Sequence, residues 1–318
     1  MPGPRRTEVL VDVATRYYLE HQSQQEIARA LGSTRSNVSR MLTQARERGI
    51  VRVEIARPPE RDEAAERQLV RRFGLREALV HRGEDRAVRG VARLAADWLV
   101  AGLGDGMRIT LSWGRSLSAV VRSIAPSRRL DVEVVQAGGD LHLSRELSGN
   151  ELARGLAERL GGTSAYLPAP AIVDSPAAVR ELLRTRAIAR QLAKARTADM
   201  ALVGIGGFGS GFAAQLLEST HLDEADRAAF DRAAPVGDIL ARFYGPNGRQ
   251  VDTPLRDRVL ALELEELAAI PCRIGVAQGP TKAPGVLGAL RGGLVDVLVT
   301  DGATAEAVLA LDGPAVAA

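Results

Sequence analysis

The chain has 318 residues, 25% of them charged and 3% aromatic, with a formal net charge of +3. Its one cysteine, Cys272, excludes an intrachain disulfide and a cysteine metal cluster, and four scattered histidines give no ligand spacing. No run of about 18 apolar residues is present, and no apolar core follows the N-terminal MPGPRRTEVL. The expectation is therefore a cytoplasmic protein of two or three domains, with no membrane partner.

Residues 7–20 read as a first helix, with Val9, Leu10, Val13 and Tyr17 on one face. Residues 22–53, QSQQEIARALGSTRSNVSRMLTQARERGIVRV, then read as two short helices joined by a tight turn. Ile27, Ala28 and Leu31, then Val38, Met41 and Leu42, fall at i, i+3, i+4 spacing, which gives each helix one buried face. Gly32 lies where the chain must turn sharply. Thr34 is placed to cap the second helix by accepting from the backbone N–H of Ser36 or Asn37.

The outer face of that helix carries Arg35, Ser36, Asn37, Ser39 and Arg40. Asn and Arg are side chains that read adenine and guanine edges in the major groove, and hydroxyls position on phosphates. The pattern predicts a recognition helix of a helix-turn-helix. Thr34 and Gln25, at the start of the preceding helix, complete the expected DNA-contacting set. Residues 1–60 hold ten arginines against seven acidic residues, so the whole positive excess lies here and residues 61–318 sum to zero. The bland alternative is a helical hairpin with a solvated polar face.

Residues 50–55, IVRVEI, alternate as a short strand, the wing beside such a unit. The prolines and charges of RPPERDE mark a boundary near 56–62. Residues 62–73 read as a linker helix offering an oligomer contact. The expected division is a winged helix-turn-helix domain at 1–57, a linker at 58–76 and an effector domain at 77–318.

From about residue 78, apolar runs at 78–81, 107–111, 132–136, 164–167, 199–205, 238–244, 272–277 and 295–300 alternate with helical stretches. Those stretches lie at 86–103, 115–124, 149–160, 176–197, 282–291 and 303–311. This predicts an α/β Rossmann-like domain with a largely parallel sheet. In such sheets ligands sit outside the carboxyl ends of the strands, where helix N-termini point. The segments there contain Ser112, Gly114, Arg115 and Ser116, then Gly138 and Gly139, then GGFGSG, then Lys282. Glycines allow close approach, hydroxyls and helix amides suit a phosphate, and Arg115 and Lys282 supply cationic donors.

Asp140, Asp238 and Asp301 are placed to accept from sugar hydroxyls. The set points to a small phosphorylated polyol or sugar. The competing reading is that glycines follow strands in most α/β proteins, and that Asp301 only caps the last helix. Lys194 and Lys282 are the only lysines among 42 basic residues. Lys194, in ARQLAKAR, reads as solvated. Gly204, Gly206 and Gly209 match G-x-G-x-x-G, but no acid stands at a strand end about 20 residues on, so no nicotinamide cofactor is expected. No metal, cofactor or catalytic residue is expected.

Taken together, YYLEHQSQQEIARALGSTRSNVSRMLTQARERGIV, SWGRSL, VVQAGGDL, ADMALVGIGGF, GDILARFY and LRGGLVDVLVTDGATAEAVL resemble the SorC family of sugar-responsive bacterial transcription regulators. The resemblance covers almost the whole chain. It implies an effector domain similar to phosphosugar isomerases and glucosamine-6-phosphate deaminase, and a homotetramer or dimer of dimers. It also implies that a phosphorylated sugar changes affinity for double-stranded operator DNA. By matching segments, the effector site comprises Ser112, Gly114, Arg115, Ser116, Gly138, Gly139, Asp238, Leu240 and Lys282. The alternative is a sugar-phosphate isomerase or deaminase with an accessory N-terminal domain, with Asp238 and Lys282 as its acid/base pair. No His or Glu accompanies them in a catalytic loop pattern, and the first 55 residues would then lack a purpose.

Overall fold

The computed structural model describes residues 4–51, 59–83, 87–141, 148–208, 217–218, 220 and 222–313. The chain divides into two units, Met1–Pro58 and Pro59–Ala318.

The first unit contains α1 (Pro4–Tyr18), α2 (Gln24–Ala30) and α3 (Arg35–Glu47). Val13, Ile27, Ala28, Val38 and Leu42 form one buried cluster, and Leu10, Ala14 and Ala45 a second beside it. The stripe of α1 that faces inward is thus Leu10, Val13 and Ala14. Of the expected face, Leu10 and Val13 are buried and Tyr17 packs on the first cluster, whereas Val9 is 42% exposed. Leu31, at the end of α2, is also exposed. Ser23 and Glu26 cap α2 reciprocally. Gly32 has φ +59, a left-handed conformation in which a side chain would be strained. Thr34 Oγ1 accepts from Asn37 N at 3.2 Å and starts α3. Ile50 and Val51 pack on the second cluster; residues 52–55 of the expected wing lie outside the described residues.

The second unit begins with α4 (Glu63–Phe73). Leu69 of this helix is fully buried in the core of the unit, so α4 packs on the α/β layers as an integral element. Seven parallel strands follow: β1 (Glu77–His81), β2 (Arg108–Leu111), β3 (Glu133–Gln136), β4 (Thr163–Ala165), β5 (Met200–Gly204), β9 (Arg273–Val276) and β10 (Val297–Asp301). They lie in the order β1, β10, β9, β5, β2, β3, β4. Successive residues point to opposite faces, and both faces are covered. Leu79, Ile109, Leu111, Val134, Leu202 and Val299 enter one core with α5 (Ala87–Gly102), α6 (Arg115–Ser123) and α7 (Gly149–Leu160). Val80, Val135, Val203 and Leu298 enter the other, with α4, α12 (Ala283–Arg291) and α13 (Gly302–Asp312).

Two expected elements differ. The run 238–244 is two short antiparallel strands, β7 (Gly237–Ile239) and β8 (Arg242–Tyr244), which pair with β6 (Gly206–Gly207) in a separate small sheet. The turn between them is Leu240–Ala241, with φ of +58 and +57. A two-residue hairpin turn with both φ positive matches the right-handed twist of its strands. The stretch 176–197 is two helices, α8 (Pro176–Arg184) and α9 (Arg186–Arg196), broken at Thr185, whose ψ of 116 is extended. The remaining helices are α10 (Glu224–Ala233) and the short α11 (Leu264–Ala268).

Candidate effector cleft and DNA-facing helix

The strand order creates a crevice. From β2 the chain moves outward to β3 and β4; from β5 it moves the opposite way to β9 and β10. The loops leaving the adjacent β2 and β5 therefore diverge, and the gap at their carboxyl ends is where open α/β sheets bind ligands. Ser112, Trp113, Gly114, Arg115 and Ser116 line this cleft from the β2 side. Gly204, Ile205 and Gly206 line it from β5, with Asp238, Leu240 and Lys282 opposite. Its walls leave about 50 Å³ between them.

Gly114 caps α6 with φ 118 and supplies no side-chain hydrogen bond. The first intrahelical bond is Ser118 N to Gly114 O, at 2.9 Å. The amides of Arg115, Ser116 and Leu117 have no intrahelical acceptor and carry the positive end of the helix dipole. Arg115 is exposed and pairs with no carboxylate among the described residues. Ser112 is buried; its Oγ accepts from Gly204 N at 3.1 Å, tying the β2 loop to the β5 loop.

Asp238 is 8% exposed, and its Oδ2 accepts from Ala241 N at 3.3 Å. Burial pushes its carboxyl up to about 6, against the opposing pull of the Ala241 hydrogen bond and the Lys282 charge. Lys282 ends a single 3-10 turn, Pro280–Lys282, at the start of α12. Burial holds its ammonium below the usual lysine range; Asp238 opposes that shift and the Arg115 guanidinium adds to it. The fully buried Tyr244 hydroxyl donates to Gly285 O at 3.0 Å, and burial, aided by the Asp238 charge, keeps it protonated. Gly206 leaves the Asp238 carboxyl its place: a Cβ at that position would sit 1.9 Å from Asp238 Oδ1 and displace it.

Of the expected effector residues, the structure brings together Ser112, Gly114, Arg115, Ser116, Asp238, Leu240 and Lys282. Gly138 and Gly139 do not line the cleft. A Cβ on Gly138 would meet Ala261 Cβ at 2.5 Å, and one on Gly139 would meet Pro170 O at 2.3 Å. These glycines let neighbouring backbone approach rather than a ligand. Asp140 and Asp301, read as candidate hydroxyl acceptors, are structural caps. Asp140 accepts from Ser148 Oγ at 2.6 Å and Gly149 N at 2.8 Å. Asp301 accepts from Thr304 N, Thr304 Oγ1 and Gly279 N. Lys194, read as solvated, pairs with Glu133 across α9 and β3.

Trp113 and Gly206, within the post-strand segments SWGRS and GGFGSG, also line the cleft. So do Gly204 and Ile205, the end of β5 and the residue after it, which sequence reasoning did not single out as ligand-facing because the β5 loop meets the β2 loop only through the strand order. A larger groove of about 1290 Å³ runs between α4 and α13. Several of its charged groups are already engaged: Asp62 and Asp301 cap helices, and Arg72 pairs with Asp312.

In the first unit, Gln25, Thr34, Arg35, Ser36, Ser39 and Arg40 are exposed and Asn37 is half-buried. Arg40 and Asn37 stand with Gln44 beside Val9 and Leu10 of α1, in a shallow hollow along α3. The buried stripe through Val38 and Leu42 leaves the opposite, polar face of α3 to solvent.

A three-helix unit with a polar, partly basic outer helix, joined to a parallel α/β unit with an anion-ready switch-point cleft, defines a class: a ligand-responsive DNA-binding regulator. Residues 57–310 match the family described as "Putative sugar-binding domain", and residues 23–51 match "Bacterial regulatory proteins, crp family". The chain is 32% identical to the sorbitol operon regulator of Klebsiella pneumoniae, over 95% of this chain and 97% of that protein. It is 30% identical to the deoxyribonucleoside regulator of Bacillus subtilis, over 96% and 98%. The crystal structure of the full-length regulator SorC from Klebsiella pneumoniae superposes with a TM-score of 0.74 at 30% identity, covering 97% of this chain and 99% of that one. The chain belongs to the SorC family of transcriptional regulators.

Proposed function

We propose that the protein binds operator DNA through α3 and that a phosphorylated sugar or polyol, seated in the switch-point cleft, sets its operator affinity. The observation that carries the effector half is the convergence of the α6 N-terminus, which no side chain caps, Arg115 and Lys282 on one small gap beside the buried Asp238. Helix amides and two cations suit a phosphate, and Asp238 suits a sugar hydroxyl. The gap of about 50 Å³ has room for only one or two waters. The anionic end of the effector seats there and the remainder extends outward.

The protein works in the cytoplasm as a homotetramer or dimer of dimers, and the effector acts through unequal affinity for DNA-competent and incompetent arrangements. Its relatives are named as regulators of sorbitol and deoxyribonucleoside genes, which fits control of a carbohydrate catabolic operon and supports a non-enzymatic role. The likeness of the effector domain to phosphosugar isomerases and the wing of the helix-turn-helix belong to this reading as well. Thermal unfolding with a panel of sugar phosphates and their unphosphorylated counterparts tests it. At least one phosphorylated compound is expected to raise the midpoint while its free sugar does not. Equal effects from both members of every pair would remove the phosphate from the account.

A further inference from the structure

Asn37 is the third residue of α3, and both its ends are held. Its backbone N–H donates to Thr34 Oγ1 at 3.2 Å, and its side-chain Nδ2 donates to Ser33 Oγ at 2.9 Å. The second bond is independent of helix capping, because Ser33 precedes the cap residue. The Ser33 side chain makes no other hydrogen bond among the described residues. Left unheld, an asparagine in a first helical turn exchanges among local backbone partners. Here one rotamer is fixed.

An asparagine amide has two N–H donors and one carbonyl acceptor. With one N–H given to Ser33, what remains is one N–H and Oδ1. That is the pair adenine needs in the major groove, where N7 accepts and the N6 amino group donates. We infer that Ser33 is a positioning residue that presets Asn37 for two-point recognition of adenine, resting on the DNA-binding reading of α3 given above. Ser33 itself contacts no base. It removes the ordering cost that a free side chain would incur on docking.

The test is selection from a randomised DNA duplex library, followed by sequencing, with the full chain and its Asn37→Ala, Ser33→Ala and Ser33→Thr variants. The wild-type protein is expected to favour adenine about tenfold or more at one position of each half-site. Asn37→Ala abolishes that preference. Ser33→Ala lowers it about two- to tenfold at that position alone, with other positions and the thermal midpoint unchanged. Ser33→Thr restores it, since a threonine hydroxyl accepts equally well. An adenine preference unchanged by Ser33→Ala, or a loss spread evenly over all positions, would overturn the role of Ser33. Enrichment insensitive to Asn37→Ala overturns the inference while leaving DNA binding intact. Absence of any enriched sequence for the wild-type chain refutes the DNA-binding reading itself.

Discussion

Asp238 is held in the fold at a cost in stability, because its carboxyl is buried with a single hydrogen-bond donor among the described residues. Its value of about 6 lies above the roughly 3.9 of an unfolded aspartate. Between those limits the native state binds the proton that the unfolded chain has released. Stability should therefore fall as pH rises from about 4 to about 6, and then level off. A shift of this size corresponds to about 3 kcal/mol. The stability advantage of Asp238→Asn over the wild-type protein should grow by about that amount between pH 4 and pH 7. Urea unfolding across this range measures it, and a difference that stays flat would remove Asp238 as the titrating group.

Gly206→Ala tests the same carboxyl sterically. Its Cβ would lie 1.9 Å from Asp238 Oδ1, whereas one on Gly207 would meet Lys282 Cα at 3.2 Å. Effector binding should fall at least about tenfold, about 1.4 kcal/mol, in Gly206→Ala, and less in Gly207→Ala, as read by calorimetric titration. Ser112, Gly114, Arg115, Ser116, Asp238, Leu240 and Lys282 could be read in the sequence, because each lies in or beside a segment at the carboxyl end of a strand or on the matching GDILARFY run. Gly138 and Gly139 could not be sorted this way. A glycine that admits a ligand and one that admits Ala261 or Pro170 look alike until the neighbouring chain is placed.

The β7–β8 hairpin is the element on which sequence reading fell short. GDILARFY is apolar enough to pass for one buried strand, and its turn, Leu240–Ala241, has none of the Asn-Gly character that announces a hairpin with both φ positive. One local bond and one set of tertiary contacts hold the turn. Asp238 Oδ2 accepts from Ala241 N at one end of it, and the guanidinium of Arg242 holds the other. The Arg242 side chain is 3% exposed and donates to the carbonyls of Arg256, Val259, Ala261 and Leu262 while pairing with Glu263 at 2.7 Å.

Two opposite outcomes follow. Ala241→Gly should stabilise the protein by about 1 kcal/mol, since a left-handed conformation costs an L-residue about that much. Arg242→Ala should destabilise it by about 3 kcal/mol or more, because several buried carbonyls lose their donor together. Denaturant midpoints for the pair, at a pH above the Asp238 titration, would check both signs. The alternating α/β elements were legible because short apolar runs alternate along the chain with stretches of helical composition. The break at Thr185 was not, because nothing in TRAIARQLAKAR departs from helical composition.

At the scale of the whole molecule, two units divide the work: one presents a polar helix fit for the major groove, and the other presents an anion-ready cleft at its topological switch point. The first was legible in detail from sequence, since a helix-turn-helix is local and its cap, turn glycine and outer face lie within about 20 residues. The cleft was legible only as a set of loops. Placing the β2 loop beside the β5 loop needs the order of seven strands, which no local pattern encodes. If Arg40 reads guanine, Arg40→Ala should weaken binding to the preferred DNA by about 1–3 kcal/mol and relax the choice at one position. A uniform loss on all sequences would instead assign it to phosphate, and competition against mismatched duplexes separates the two.

Coupling of the cleft to DNA binding is measured by fluorescence anisotropy of the full chain on labelled DNA from upstream of its own gene, titrated with and without each member of a sugar-phosphate panel. The expected result is saturable, sequence-specific binding whose affinity changes at least about fivefold, about 1 kcal/mol, with one phosphorylated compound. Specific binding that no member of the panel alters would contradict the coupling of cleft to DNA. No specific binding under any condition would contradict the regulator reading as a whole.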